Sequence, residues 1–375
     1  MRVGLLADRL DRGERRTGVG AYVDGLAEGL NELDGTDRFV LFAPGASRGP
    51  SVADAASARR VPGWGRRSTT VTWTLLGRPR LRGASGRLDV LHILVPTIPV
   101  PTDLPTVATI HDLMPLKHPA MFRRSHRILF AQTIRRIRRS ARWIIAVSEA
   151  TREDVVELLG FPEERTSVVH HGVPRHFATA SPARERGARN RFGLGDEPFV
   201  LFVGELAERK NVSHLVHAFT RAVSAMPSAR LVLAGSPGVG FADAERRIRD
   251  NQLEGRVTVT GHASQGDLEG LMGAASALVL PSLDEGFGLP ALEAMSVGTP
   301  VIASDAGSLP EVVGDAGLLV PSADADALAE AIRRLLTDAK LRESLSRRGK
   351  ERAATFTWRR AAEQTLEVYG HALRT

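Results

Sequence analysis

Short apolar runs alternate along the whole chain with longer stretches whose apolar residues recur at helical spacing. Runs at 3–7, 39–43, 90–94, 107–110, 143–147 and 167–169 in the first half, and at 199–203, 230–234, 257–260, 277–280 and 301–303 in the second, are each bounded by Gly, Pro, Asp or charged residues. Such runs are too short for helices and too continuously apolar for strands with a solvated face, so they predict parallel strands buried on both sides. Strands separated by helical segments in regular succession predict an α/β fold built of βαβ units. Each half holds enough strands for its own sheet.

A length of 375 residues is about twice that of one ordinary domain, which agrees with two sheets. The stretch 181–198, rich in Arg, Gly and Pro and without an apolar period, places the hinge at about 174–198. The predicted domains are thus 1–178 and 179–357, two doubly wound, Rossmann-like units facing each other across a cleft. An amphipathic segment at 358–373 is a candidate to pack back on the first. Open α/β sheets bind ligands at the carboxyl ends of their strands, so function is expected in the loops after strands.

Composition narrows the chemistry. The chain has no cysteine, which excludes disulfides, thiolate metal sites and cysteine nucleophiles. No run approaches the roughly 18 apolar residues of a spanning helix, and Asp8 and Arg9 interrupt the start before any signal-like region develops, so a cytoplasmic location is expected. Lys and Arg outnumber Asp and Glu by 50 to 43. That excess suits nucleotide diphosphates, anionic lipid and nucleic acid alike, and does not choose among them.

The richest stretch is 281–304, PSLDEGFGLPALEAMSVGTPVIAS. It leaves a strand, turns through Glu285-Gly286-Phe287-Gly288, and enters a helix at Leu289-Pro290, where proline suits the first turn. Backbone N–H groups and the positive end of the dipole there make a generic anion site. Glu285 and Glu293, on the loop and one turn into the helix, suit the binding of vicinal hydroxyls on a sugar or ribose. A glycosidase pair is the weaker alternative, because both carboxylates lie on one corner instead of flanking a bond from separate elements. In 202–212, Gly204 ends a strand, and Arg209 and Lys210 stand before a helix that opens near Asn211, a disposition suited to a diphosphate.

Gly204-Glu205-Leu206-Ala207-Glu208-Arg209-Lys210-Asn211, the spacing of Glu285 and Glu293, Gly298 to Ser304 and Leu309-Pro310-Glu311 together closely resemble the family 4 retaining glycosyltransferases of the GT-B fold. The resemblance is strong from about 199 to 321. It implies that Arg209 and Lys210 neutralise a donor diphosphate, that Glu285 holds hydroxyls of the transferred hexose, and that Glu293 holds the ribose. Gly286, Phe287, Gly288 and Leu289 complete the donor contacts. It further implies a GDP- or UDP-linked mannose- or glucose-type donor, retention giving an α-glycoside, and no cofactor or metal. Glu205 departs from the family, in which many members carry a basic residue after the strand-ending glycine.

In the first half, Thr17-Gly18-Val19-Gly20, ahead of a helix at 21–33, resembles the family's glycine loop, with Gly18 and Gly20 facing the donor. His111 ends a strand where relatives often place a histidine near the reacting sugar; an ordinary core or surface histidine is the alternative. His170 and His171 resemble the family's interdomain turn, where asparagine is commoner at the second position, and read as structural. Asp324-Ala325-Asp326 reads as a helix cap. Segment 122–142 carries eight arginines among apolar residues: a solvated face, or a contact with an anionic membrane or a lipid-linked acceptor at the inner membrane face. A nucleotide-sugar epimerase of the same fold and a basic nucleic-acid-binding protein are the rival readings; few aromatics accompany the basic stretches, and nucleic acid is not expected. The acceptor, lipid-linked or a small molecule, is not legible.

Overall fold

The computed structural model of the chain describes residues 1–7, 18–42, 88–96, 100–179, 181–223 and 226–374. It divides into two compact units, Met1–Gly172 with Thr357–Thr375, and Val173–Phe356. The first contains a sheet of β1 (Arg2–Leu6), β2 (Arg38–Phe42), β3 (Val90–Ile93), β4 (Thr106–Ile110), β5 (Trp143–Ala146) and β6 (Thr166–Val168), in the order β2-β1-β3-β4-β5-β6. All pairings are parallel. Every residue of β3 and β4 is buried, including the polar His92, Thr106 and Thr109 among their apolar neighbours. One face packs Tyr22, Leu26 and Leu30 of the helix Gly18–Asn31 and Trp358, Val368 and Tyr369 of the helix Trp358–Arg374 onto Val3, Leu5 and Val107. The other packs Ile134, Ile137, Val155 and Leu159 onto Leu91, Ile93, Ala108 and Ile144. The amphipathic segment near the carboxyl end therefore contributes core to the first unit. A methyl group at Gly25 would overlap the Trp358 indole, and one at Gly29 or Gly172 the Trp358 backbone, so these three glycines set how closely the helix seats.

In the second unit, β7 (Phe199–Val203), β8 (Arg230–Ala234), β9 (Val257–Gly261), β10 (Ala277–Leu280), β11 (Val301–Ser304) and β12 (Leu318–Val320) form a parallel sheet in the order β12-β11-β10-β7-β8-β9. The chain runs outward from β7 through β8 to β9 and then returns to place β10 on the other side of β7. The topological switch point, the expected ligand crevice of an open sheet, therefore lies between β7 and β10. In the first unit it lies between β1 and β3.

Two sequence expectations are corrected. The chain passes between units at Gly172/Val173 and again at Phe356/Thr357, where Val173 N–H donates to Phe356 O at 3.1 Å, and not in a hinge over 174–198. Residues Pro182–Arg191 form a helix capped by Ser181 and packed on the helix Gln265–Ala274. That contact uses close approach at Gly270 and Gly273 and an ion pair from Arg184 to the buried Glu269, leaving no apolar stripe to read. The helix expected at 21–33 spans Gly18–Asn31, so Gly18 and Gly20 form its first turn instead of a loop before it; Thr17 lies outside the described residues.

Candidate active site

The loop after β7 begins at Gly204, whose φ of +146° lies outside the range of ordinary side chains. A methyl at Gly235 would overlap Gly204 O, so the loops after β7 and β8 run in contact. Leu206 N–H donates to Ser236 O and Gly238 N–H to Leu206 O, both at 2.9 Å, and Glu208 N–H to Val239 O at 2.7 Å. Behind this tie a single 3₁₀ turn, Glu208–Lys210, carries the two cations. Asn211 then adopts φ +57°, a left-handed conformation that asparagine tolerates, reverses the chain into the helix Val212–Ala222, and anchors its Nδ2 on Ser322 O at 2.9 Å.

The loop after β10 meets this turn directly: Leu283 N–H donates to Arg209 O at 3.0 Å. Lys210 Nζ pairs with Glu285 Oε1, and Ser282 Oγ donates to the same oxygen at 2.8 Å. Both charged side chains are about nine-tenths buried, at 11% exposure each. The Glu285 backbone is pinned as well, its O accepting from Ser308 N–H at 3.0 Å and Ser308 Oγ at 3.1 Å, with Gly307 (φ +57°) pressed against it. Burial alone would raise the Glu285 pKa, but the Lys210 charge and hydrogen bond, the Ser282 hydroxyl and the Arg209 charge together hold it below the ordinary carboxylate value. An ionised carboxylate and an ammonium therefore sit together in the switch-point crevice.

From Glu285 the chain passes Gly286 and the buried Phe287, which meets Phe356 edge to face with ring centres 6.1 Å apart. It enters the helix Leu289–Val297 at Gly288, whose φ is +91°. Gly288 has no side chain to cap the first turn, in which Pro290 carries no N–H and the Ala291 N–H donates to Gly288 O at 2.9 Å. Glu293 sits one turn along this helix, partly buried. The structure thus gathers Gly204, Arg209, Lys210, Glu285 and the 286–289 turn at one switch point, with Glu293 on the adjoining helix.

His111, Gly18 and Gly20 belong to the first unit. His111, the residue after β4, donates from Nε2 to Leu94 O at 2.9 Å, and its ring stands edge-on to Tyr22 at 4.8 Å, on the helix that Gly18 and Gly20 begin. Tyr22 also contacts the ring of buried His171 at 4.9 Å. Beneath them runs a chain of buried polar groups: Tyr22 OH to Thr109 Oγ1, Thr109 Oγ1 to His92 Nε2, and His92 Nδ1 to Tyr369 OH, each 2.8 Å. Burial lowers His92 to about 3 and His111 to about 4, and drives His171 well below the ordinary histidine value, with repulsion from His111 adding to it. All three rings are neutral at pH 7.

Ser282, Tyr22, Thr109 and His92 were not singled out from sequence, since a lone hydroxyl or a histidine inside a strand carries no pattern. Asp324 caps the helix Ala325–Thr337, accepting from Asp326 N–H at 3.0 Å and Ala327 N–H at 2.9 Å. Among the described residues, no group of three or more His, Asp or Glu is placed to hold a metal ion.

Comparison with known proteins gives this geometry its class. Two doubly wound parallel sheets in one chain are the architecture of GT-B enzymes: a structure of Anabaena HepE in complex with UDP and glucose superposes with a TM-score of 0.73 over 98% of both chains at 19% identity. The family profile described as Glycosyl transferases group 1 matches residues 186–352, and Glycosyltransferase Family 4 matches 16–177. O-antigen chain mannosyltransferase B of Escherichia coli is 31% identical over 264 residues, 70% of this chain and 69% of that protein. An MMP alpha-(1->4)-mannosyltransferase of Mycolicibacterium hassiacum is 33% identical over 249 residues, 65% of this chain and 57% of that protein. The chain belongs to family 4 of the glycosyltransferases.

Proposed function

We propose that the chain transfers a mannose- or glucose-type hexose from a UDP- or GDP-linked donor, with retention, to give an α-glycoside. The observation that carries this reading is the buried Lys210–Glu285–Ser282 cluster, joined to Arg209 at the β7/β10 switch point beside the start of the helix Leu289–Val297. Breaking a glycosidic bond to diphosphate builds negative charge on the leaving phosphate, and fixed cations with a helix N-terminus stabilise what changes most in that step. Arg209 and Lys210 take the diphosphate, Glu285 the sugar hydroxyls and Glu293 the ribose, with Gly204 and the 286–289 turn allowing backbone approach. Glu285 is already engaged by Lys210 and Ser282, which supports an orienting role over that of a nucleophile and agrees with same-face attack assisted by the leaving phosphate. The anomeric configuration of the product, read by NMR, tests retention; a β-product removes it.

With protein cations at the diphosphate, no metal is required in this reading. Thermal-shift measurements across nucleotide diphosphate sugars are expected to raise the midpoint for one donor, since a ligand bound only by the folded state stabilises it. Turnover of that donor should persist in excess EDTA. Loss of turnover in chelator, restored by a divalent cation, would remove metal independence.

The acceptor side carries a second expectation. The helix Arg124–Ser140 buries only Thr133, Ile134 and Ile137, and its first half is exposed, with Ile128 at 50% and Leu129 at 37%. No acid occurs between Asp112 and Glu149. Apolar tips amid arginines suit an anionic surface, and no helix among the described residues is long and apolar enough to cross a membrane. Co-sedimentation with vesicles should rise with anionic lipid content and fall on Ile128→Ser/Leu129→Ser; sedimentation indifferent to lipid charge would refute this contact.

A further inference from the structure

The two cations of the donor site are held differently. Lys210 is buried against Glu285, whereas Arg209 reaches out to Glu205, Nη2 to Oε2 at 3.3 Å, with side-chain exposures of 27% and 54%. Glu205 is not a loosely placed surface acid. Its backbone lies in the tied segment between Gly204 and Leu206, and a methyl at Gly238 would come within 2.9 Å of its Cγ and Oε1, so the loop after β8 walls its side chain on one side. Arg209 is held at its backbone as well, its O accepting from Leu283 N–H. Each cation of this turn is thus paired with one carboxylate, Lys210 with Glu285 and Arg209 with Glu205.

We propose that Glu205, acting through Arg209, sets the site to discriminate between the sugar-linked diphosphate and the free nucleoside diphosphate left after transfer. This rests on the donor-site reading above. A diphosphate esterified at both ends carries about two negative charges, and release of the sugar exposes a terminal phosphate whose last ionisation lies near pH 6, adding most of a third. A site with surplus positive charge would hold that product more firmly than the donor. Glu205 occupies Arg209 and removes the surplus, so the extra charge of the product gains little and the spent nucleotide leaves. Glu205 is a positioning residue here and touches neither substrate.

The test is a double-mutant cycle by calorimetry, with UDP, UDP-glucose, GDP and GDP-mannose as probes and wild type, Glu205→Gln, Arg209→Ala and the double variant as proteins. Glu205→Gln is expected to tighten the free diphosphate by about threefold, the scale of one exposed ion pair, and the sugar-linked form by less. In the Arg209→Ala background the same change should do nothing. Equal tightening of both ligand forms, an unchanged affinity, or the same effect with Arg209 absent would each overturn the inference. Failure of the wild type to bind any of the four would overturn the donor-site reading together with it, whereas normal wild-type binding with an inert Glu205→Gln overturns this inference alone.

Discussion

Lys210→Ala is expected to lower turnover by roughly a hundred- to a thousandfold, the usual loss on removing one fixed group that stabilises transition-state charge. Stability should fall as well, because the variant strands Glu285 in a site where it is about nine-tenths buried. The two effects separate in the double variant Lys210→Ala/Glu285→Gln. With no buried carboxylate to neutralise, and with the amide oxygen able to accept from Ser282, its melting midpoint should recover toward wild type. Turnover should not recover, since neither the cation nor the hydroxyl-binding carboxylate remains. Steady-state rates and thermal melts of the three variants check this. Near-wild-type turnover in Lys210→Ala or in Glu285→Ala would remove the cluster from catalysis.

The second large effect concerns acid. His92, at about 3, and His171 are lowered by burial, so below pH 6.5 the unfolded chain binds protons that the folded chain refuses. Stability from this source is complete above pH 6.5 and falls as the pH drops, with a limiting slope of about 1.4 kcal/mol per pH unit for each ring, or about 3 for the two. His111, held at about 4 but partly exposed, adds less. The melting midpoint should therefore fall steeply between pH 6.5 and 5, and His171→Asn should flatten the fall. A midpoint level across that interval would show that these rings are not held neutral in the folded chain.

The sheets were legible because parallel strands buried on both faces leave short, unbroken apolar runs, as at 199–203 and 277–280. β12 escaped because its apolar run, Leu318-Leu319-Val320, is only three residues long. The helix at 182–191 was read as a hinge because only Ala188 is buried in it and its partner helix approaches through glycine. In the site, the spacing of Glu285 and Glu293 and the Arg209-Lys210 pair pointed to two loops that the fold brings into contact. What sequence could not show was who pairs with whom. Lys210 turns inward to Glu285 and Arg209 outward to Glu205, a division set by the left-handed turn at Asn211 and by backbone ties from a third loop. The polar chain from Tyr22 to Tyr369 joins residues 347 positions apart, beyond the reach of any local pattern.

Because the helix Trp358–Arg374 supplies Trp358 and Tyr369 to the first core, a ribosome must finish all of 173–356 before the first unit can close. The later-born unit is contiguous and can mature while the earlier one waits half-built, its sheet lacking the cover of that helix. The order in which the two halves are made is thus the reverse of the order in which they can be completed.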